Sequence, residues 1–557
     1  MAVKKAVKED LNLAGGRFSL YAGDVLPSIV VFLVALPLCM GIAIASGVDP
    51  AAGLITGIVG GLLVGPLSGC PLQISGPAAG LAVITAQLIA EHGIERLGII
   101  IVVAGVVQLL AGLSRLAQWF RAVPPSVIHG MLSGIGVLIF AGQFHVMVDD
   151  LPKESGFLNL ISIPLAVWKG LSFSLELPHF AACMIGLLTI SLLLIWNRLK
   201  TRCDILLFNV LPGSLFAIVV ATSVAWLYHL EIKFVNLPDN FAESFRFIHY
   251  SQIKGFISWE LLLDGIAMAF IAAAETLLTA TAVDKMHKGE RTNYDRELMA
   301  QGAGNVVCGL VGGLAMTGVM VRSGVNVSAG GKTRASAFLH GLWLLLFFAF
   351  LPFVVELIPR AALAALLVYT GWKLANFKIM RELEKYGKSE VYIYLATVGS
   401  IVCFDLLTGV LIGIALSVGK LLYIFSHLEI KMAEDLASNR TDVFLKGAAT
   451  FLSLPRFAEA LERVRPDTEL HVHLDALDYI DHACLDMVMS WEEKHVAGGG
   501  HLVIDWGTME AASGRPRKAR SGSNTMEFRE PGKSSSSVRT TPLPLEEASG
   551  TEVKQEE

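Results

Sequence analysis

Apolar residues in this chain run in long unbroken stretches and lack the short alternations of a soluble strand or helix. Stretches near the roughly 20 residues that cross a bilayer cover residues 24–46, 51–68, 97–117, 124–147, 178–197, 205–229, 259–284, 296–313, 335–356, 359–375, 390–406 and 408–427. Two shorter ones, 73–88 and 318–330, bring the predicted spans to fourteen. Both are interrupted by glycine, as Gln73-Ile-Ser-Gly-Pro-Ala-Ala-Gly80 and Gly318-Val-Met-Val-Arg-Ser-Gly-Val-Asn-Val-Ser-Ala-Gly330. Backbone inside a membrane must satisfy its own hydrogen bonds, so a broken helix is tolerated only where it faces protein or a watery cavity. Half-helix ends of this kind are where secondary transporters hold their substrates.

The pattern changes after residue 430. Residues 443–447 and 469–474 read as strands, 455–464 as an amphipathic helix, 482–494 as a helix, and 501–506 as a final apolar strand. Alternating strand and helix predict a small soluble α/β unit. The expected organisation is a segment at 1–20, a membrane domain at 21–430, an α/β domain at 438–512 and a tail at 513–557. The tail is rich in serine and charge and has too few apolar residues to fold. Within the membrane domain, Ser75 lies 51 residues after Asp24 and Gly318 lies 58 after Glu260. Two sets of seven spans would be inverted relative to each other, because seven is odd.

Composition fits this picture: the 557 residues are 54% hydrophobic and 17% charged, with a mean hydropathy of +0.59. The net charge of −5 gives no basic surface for nucleic acid. Basic residues fall unevenly between alternate loops. One side carries Lys4, Lys5, Lys8, Arg17, Arg115, Arg121, Arg198, Lys200, Arg202, Lys285, Lys288, Arg291, Arg296, Lys332, Arg334 and the cluster from Lys373 to Lys388. The other holds mainly Arg96, Lys153, Lys169, Lys233, Arg246, Lys254 and Arg360. This asymmetry predicts both termini inside the cell membrane and an even number of spans. No cleavable signal peptide is expected. Of the seven cysteines, six lie in or beside apolar spans without metal-site spacing, and they read as packing residues.

Half-helices beginning near Pro77 and Gly318 would each present unpaired N–H groups and a positive dipole end. Facing one another at mid-membrane they would bracket an anion. Each dipole contributes about 0.3–1 kcal/mol, rising to about 2 in a partly buried site, which suits a cargo that must be released. Ser75, Gly76, Pro77, Ala78 and Ala79 on one side, and Gly318, Val319, Met320 and Arg322 on the other, are the candidate anion-binding residues. The alternative is that the glycines serve only close helix packing. Arg322 carries a costly charge into the membrane, which either adds positive potential to the anion pocket or is paired structurally with a carboxylate. Glu275 lies within the apolar run 261–283, with Thr279 one turn later on the same face. A carboxylate and a hydroxyl there, with Gly318, would bind Na⁺ or carry a proton as coupling ion; the alternative is a Glu275–Arg322 brace. No other cofactor is expected.

Several motifs together resemble the sulfate permease (SulP) family of anion transporters. They are Val34-Ala-Leu-Pro-Leu-Cys-Met-Gly-Ile-Ala, Ser75-Gly-Pro-Ala-Ala-Gly, Pro125-Ser-Val-Ile-His-Gly-Met-Leu, Glu275-Thr-Leu-Leu-Thr, Asn293-Tyr-Asp-Arg-Glu-Leu-Met-Ala-Gln-Gly-Ala-Gly-Asn305 and Arg322-Ser-Gly-Val-Asn-Val-Ser-Ala-Gly-Gly331. The resemblance spans residues of about 18 to 510. It implies a fourteen-span, seven-plus-seven inverted repeat with core and gate domains, a cytoplasmic STAS domain formed by the α/β unit, and a homodimer. It also implies cation-coupled transport through an acidic residue at the position of Glu275, and the bicarbonate-transporting branch is the most similar. The sequence departs from the family in having Ala78 and Ala79 where some members carry threonine. Asp481-His-Ala-Cys stands where anti-sigma antagonists carry a phosphorylatable serine, and His482 cannot replace it. The α/β domain ends soon after Trp506, without a final helix.

The expected function is therefore secondary active transport of a small inorganic anion, bicarbonate or sulfate, with no enzyme activity. A channel-like or motor-like anion sensor of the same fold is the alternative, as is a dicarboxylate or nucleobase transporter. Gly330-Gly-Lys-Thr333 resembles the end of a P-loop, but Asn326 replaces its first glycine and no strand precedes it. His471 and His473 alternate along one strand without further ligands to make a metal site.

Overall fold

The computed structural model describes residues 23–120, 124–153, 155–171, 177–202, 211–237, 244–247, 258–435 and 438–504. The expected segments 1–20 and 513–557 lie outside them. The chain divides into one unit ending at Tyr423 and another starting at Ile424.

The first unit is helical. It opens with α1 (Val25–Ala45), which contains Pro37, and α2 (Pro50–Val59), whose start is set by Pro50 in the first turn and by Asp49 accepting from the Ala51 amide at 2.9 Å. α2 widens into a π-turn at Gly60–Val64. Glycine is required here: a Cβ on Gly60 would lie 2.4 Å from the Ser75 carbonyl oxygen, and one on Gly61 would lie 2.4 Å from Gly341 Cα. A three-residue strand, β1 (Ser75–Pro77), leads into the short helix α3 (Ala79–His92). There follow α4 (Ile94–Leu113), α5 (Pro125–Met147), α6 (Leu177–Lys200), α7 (Gly213–Leu227), α8 (Trp259–Met286) and α9 (Tyr294–Val311).

Strand β2 (Met316–Gly318) and the short helix α10 (Met320–Ser328) repeat the β1–α3 arrangement. The unit closes with α11 (Ala335–Phe350), α12 (Arg360–Leu374), α13 (Lys388–Cys403) and α14 (Leu406–Ser426). Pro352 opens a separate five-residue helix, splitting the expected 335–356 segment. Part of the expected 205–229 segment lies outside the described residues, and α7 covers the remainder. Among the described residues, seven helices are long and apolar enough to cross a membrane.

Close packing between helices depends on small residues. A Cβ on Gly302 of α9 would sit 2.7 Å from the Gly105 carbonyl oxygen of α4, and one on Gly309 would sit 2.5 Å from that of Gly98. The α5–α12 pair meets in the same way at Gly136 and Gly371.

The second unit is a four-stranded sheet in the order β3 (Leu428–Asp435), β4 (Arg440–Ala449), β5 (Glu469–Ile480) and β6 (His501–Ile504). β3 and β4 are antiparallel; the other neighbours are parallel, joined through α15 (Leu454–Glu462) and α16 (His482–Ala497). Val443, Leu445, Phe457, Leu461, Leu470, Leu485 and Val488 fill the core. The sheet takes in residues 428–435, ahead of the expected boundary at 438; half of β3 is charged and much of it is exposed, so its sequence resembles a linker. His473 pairs with Asp442 at 2.7 Å and His471 with Glu469 at 3.0 Å. Asp481 caps α16 by accepting from the Cys484 amide at 2.9 Å.

Candidate functional site

Polar and small residues concentrate where β1 and β2 meet. The strands are antiparallel, pairing Ser75 with Gly318, Gly76 with Thr317 and Pro77 with Met316. The sequence reading started the two half-helices near Pro77 and Gly318. In the structure they start two residues later, at Ala79 and Met320, because the preceding residues are extended and paired across the chain's two halves. Ala78 and Val319 are the extended residues before each first turn, and neither supplies a side-chain cap. Neither helix start is therefore closed by a side chain; in α3 the Leu81 amide turns back to the Ala78 carbonyl at 3.1 Å, which leaves the Ala79 and Gly80 amides ahead of it without a side-chain cap. Ser75, Gly76, Pro77, Ala78 and Gly318 are buried, whereas Ala79 and Val319 are partly exposed and Met320 is exposed. Accessible space borders the helix starts rather than the strands.

A shell of hydrogen bonds fixes this crossing. The Val319 amide donates to the Ile74 carbonyl at 2.8 Å, and the Ile74 amide donates to Ser323 Oγ at 2.9 Å. The Gly318 amide donates to Thr276 Oγ1 at 3.2 Å. Asn305 accepts from the Met316 amide at 2.7 Å and donates to its carbonyl at 3.1 Å, acting as a side-chain extension of the strand pair. Gln301 donates to Ser75 Oγ and, at 3.0 Å, to Glu297.

The two expected charges flank the β1–α3 turn. Arg322 is 0% exposed, and its Nη2 donates to the Pro77 carbonyl at 3.4 Å, while Nε and Nη1 have no hydrogen-bond partner. Gly76 makes room for it, since a Cβ there would stand 2.5 Å from Nη1. Cys39 of α1 and His340 of α11 lie within electrostatic reach of the guanidinium. Glu275 is placed against Gly80, where a Cβ would stand 2.6 Å from its Oε2. This sets the carboxylate beside the first turn of α3, whose dipole favours negative charge. No salt bridge joins Glu275 to Arg322, so the alternative of a structural brace between them is not what the structure contains. Thr279 is buried one turn along α8 from Glu275, and the hydroxyl bonded to Gly318 is that of Thr276, which sequence reasoning missed. It also gave no role to Glu297, Gln301 and Asn305, although their spacing of four residues along a glycine-rich helix places them on one face.

A profile of the Sulfate permease family matches residues 21–397. The chain belongs to the sulfate permease family. Permease membership makes it a multi-pass membrane transporter rather than an enzyme. YbaR of Bacillus subtilis (strain 168), which carries a sulfate-transporter name, is 29% identical over 464 residues, spanning 81% of this chain and 89% of YbaR. The bicarbonate transporter BicA of Picosynechococcus sp. is 23% identical over 405 residues, spanning 70% of this chain and 68% of BicA. In fold, the chain is similar to the murine Solute Carrier 26 family member A9 anion transporter in its inward-facing state, with a TM-score of 0.69 at 15% identity. That match covers 86% of this chain and 84% of the other.

Proposed function

We propose that this sulfate permease family member is a secondary active transporter of a small inorganic anion, sulfate or bicarbonate, held between the N-termini of α3 and α10. The observation that carries the reading is the paired β1–β2 crossing, which delivers two uncapped helix starts to one place beside a buried guanidinium without a carboxylate partner. Backbone amides would hold most of the anion's charge, with Arg322 adding positive potential. Names of similar proteins support both candidate anions.

Glu275, buried against the first turn of α3, is the coupling residue in this reading, taking Na⁺ or a proton whose charge balances the anion. Thr279 and the Gly318 backbone complete the proposed cation site, with Thr276 beside them. The fold would comprise fourteen spans in a seven-plus-seven inverted repeat, and the matching β1–α3 and β2–α10 pairs support that symmetry. The α/β unit is proposed to be a cytoplasmic STAS domain, with both termini inside the cell membrane and two copies forming the functional particle. Uptake of labelled sulfate, bicarbonate, a dicarboxylate and uracil into reconstituted vesicles, with Na⁺ replaced or the pH gradient collapsed, tests the assignment. Transport of uracil alone would refute it.

A further inference from the structure

Glu297 is a fully buried carboxylate on α9, at 0% exposure, with no basic partner among the described residues. Its charge is instead met by four donors. Oε2 accepts from Ser68 Oγ and from the Cys70 amide at 3.0 Å; Oε1 accepts from Gln73 Nε2 at 2.8 Å and Gln301 Nε2 at 3.0 Å. A carboxylate has about four acceptor positions; the Cys70 amide and the two glutamines fill three, and the fourth is met by Ser68, whose single O–H is shared with the Cys70 carbonyl 2.7 Å away.

This arrangement dictates the orientation of both glutamines. A carboxylate only accepts, so each side-chain amide must turn its nitrogen toward Glu297. Gln301 then has one remaining N–H, which it gives to Ser75 Oγ on β1. Gln73 is held against β2: its Nε2 occupies the place of a Gly318 side chain, where a Cβ would lie 2.0 Å away. One carboxylate is thereby linked to Ser75 through the Gln301 hydrogen bond and packs Gln73 against Gly318, the residue that faces Ser75 in the strand pair.

We infer that Glu297 is the positioning residue of the anion site, setting the separation of the α3 and α10 N-termini through Gln301 on β1 and Gln73 on β2. This rests on the anion reading given above. A neutral amide at position 297 keeps one acceptor oxygen: with its nitrogen in the Oε1 place it meets the donor faces of both glutamines and turns them over, and with it in the Oε2 place it meets the Cys70 amide and loosens the turn that leads into β1. The aperture between the helix starts then widens without any change in the groups lining it.

The test compares Glu297→Gln, Gln301→Met and the double variant in full-length protein reconstituted in vesicles. Glu297→Gln is expected to raise the half-saturating anion concentration about fivefold to tenfold, the value of one to two hydrogen bonds. The maximal rate per folded molecule and the half-saturating cation concentration should stay within about twofold of wild type. The double variant should be no worse than Glu297→Gln, because the two act through one link. An unchanged half-saturating concentration, or effects that multiply in the double variant, overturns the inference. If Glu297→Gln does not fold, Gln301→Met and Gln73→Met carry the same prediction and the same refutation. Failure of wild-type protein to show saturable anion uptake would overturn the anion reading and the inference together. An effect of Arg322 substitution with none at Glu297, Gln301 or Gln73 would overturn the inference alone.

Discussion

Arg322→Met should weaken anion binding while leaving the protein as stable as before or more stable. The guanidinium is fully enclosed, donates one long hydrogen bond to Pro77 and has no carboxylate partner. Desolvating such a charge is unfavourable, and replacing a buried ion by an apolar side chain of similar length is often neutral or stabilising. Its contribution to an anion is large because little water screens it. At an effective dielectric of about 20, a unit charge about 6 Å from the anion contributes about 2.8 kcal/mol, roughly a hundredfold in affinity. Side-chain relaxation and water entering the shortened site reduce this, so a loss of about tenfold to a hundredfold is expected. Thermal unfolding of the purified protein and titration with sulfate and bicarbonate measure the two quantities in one preparation. A lowered melting temperature with unchanged affinity would refute the reasoning, since that is the behaviour of a structural brace.

The remaining predictions concern the groups around it. Glu275→Gln should abolish anion accumulation driven by a Na⁺ or pH gradient while leaving anion binding within a few-fold of wild type; accumulation that persists, measured as gradient-driven uptake, would remove Glu275 from the coupling role. Gly60→Ala places a methyl 2.4 Å from the backbone oxygen of Ser75 and should destabilise by about 1–3 kcal/mol in thermal unfolding. Gly142→Ala on α5, with open space around it, should be neutral or slightly stabilising. In the α/β unit, the Arg440 hydrogen bond holds the Asp442 carboxyl below its ordinary range. That contribution is present above the ordinary carboxylate pKa and is lost as pH falls through the lowered value. Protection factors for amide exchange over β4 and β5, taken relative to the intrinsic rate at each pH, should therefore fall on acidification, and Asp442→Asn should flatten the response, modestly because the pair is solvent-screened.

Much of the helical frame is legible in the sequence because bilayer-length apolar runs have few other solutions, and the α1 and α8 boundaries fall within a few residues of the runs that predict them. The strand crossing is not legible. Three-residue strands made of Ser75-Gly-Pro77 and Met316-Thr-Gly318 have little intrinsic strand preference and form because each finds the other across the fold. For the same reason the helix starts shift past Pro77 and Gly318. Arg322 and Glu275 announce themselves by their cost in an apolar run, but which groups they meet depends on tertiary packing. The row Glu297, Gln301 and Asn305 could have been read as one helix face from its spacing alone; that it grips both strands could not. Helical spacing places Thr279 on the face of Glu275, but it does not say that the second strand approaches the Thr276 hydroxyl.

Uptake into sealed vesicles under an imposed gradient addresses the central claim most directly. With labelled sulfate and bicarbonate supplied separately, the account predicts accumulation of one of them above its external concentration under a Na⁺ or proton gradient, collapsing when that gradient is dissipated. Movement of both anions only to equilibrium, whatever the gradient, would contradict it.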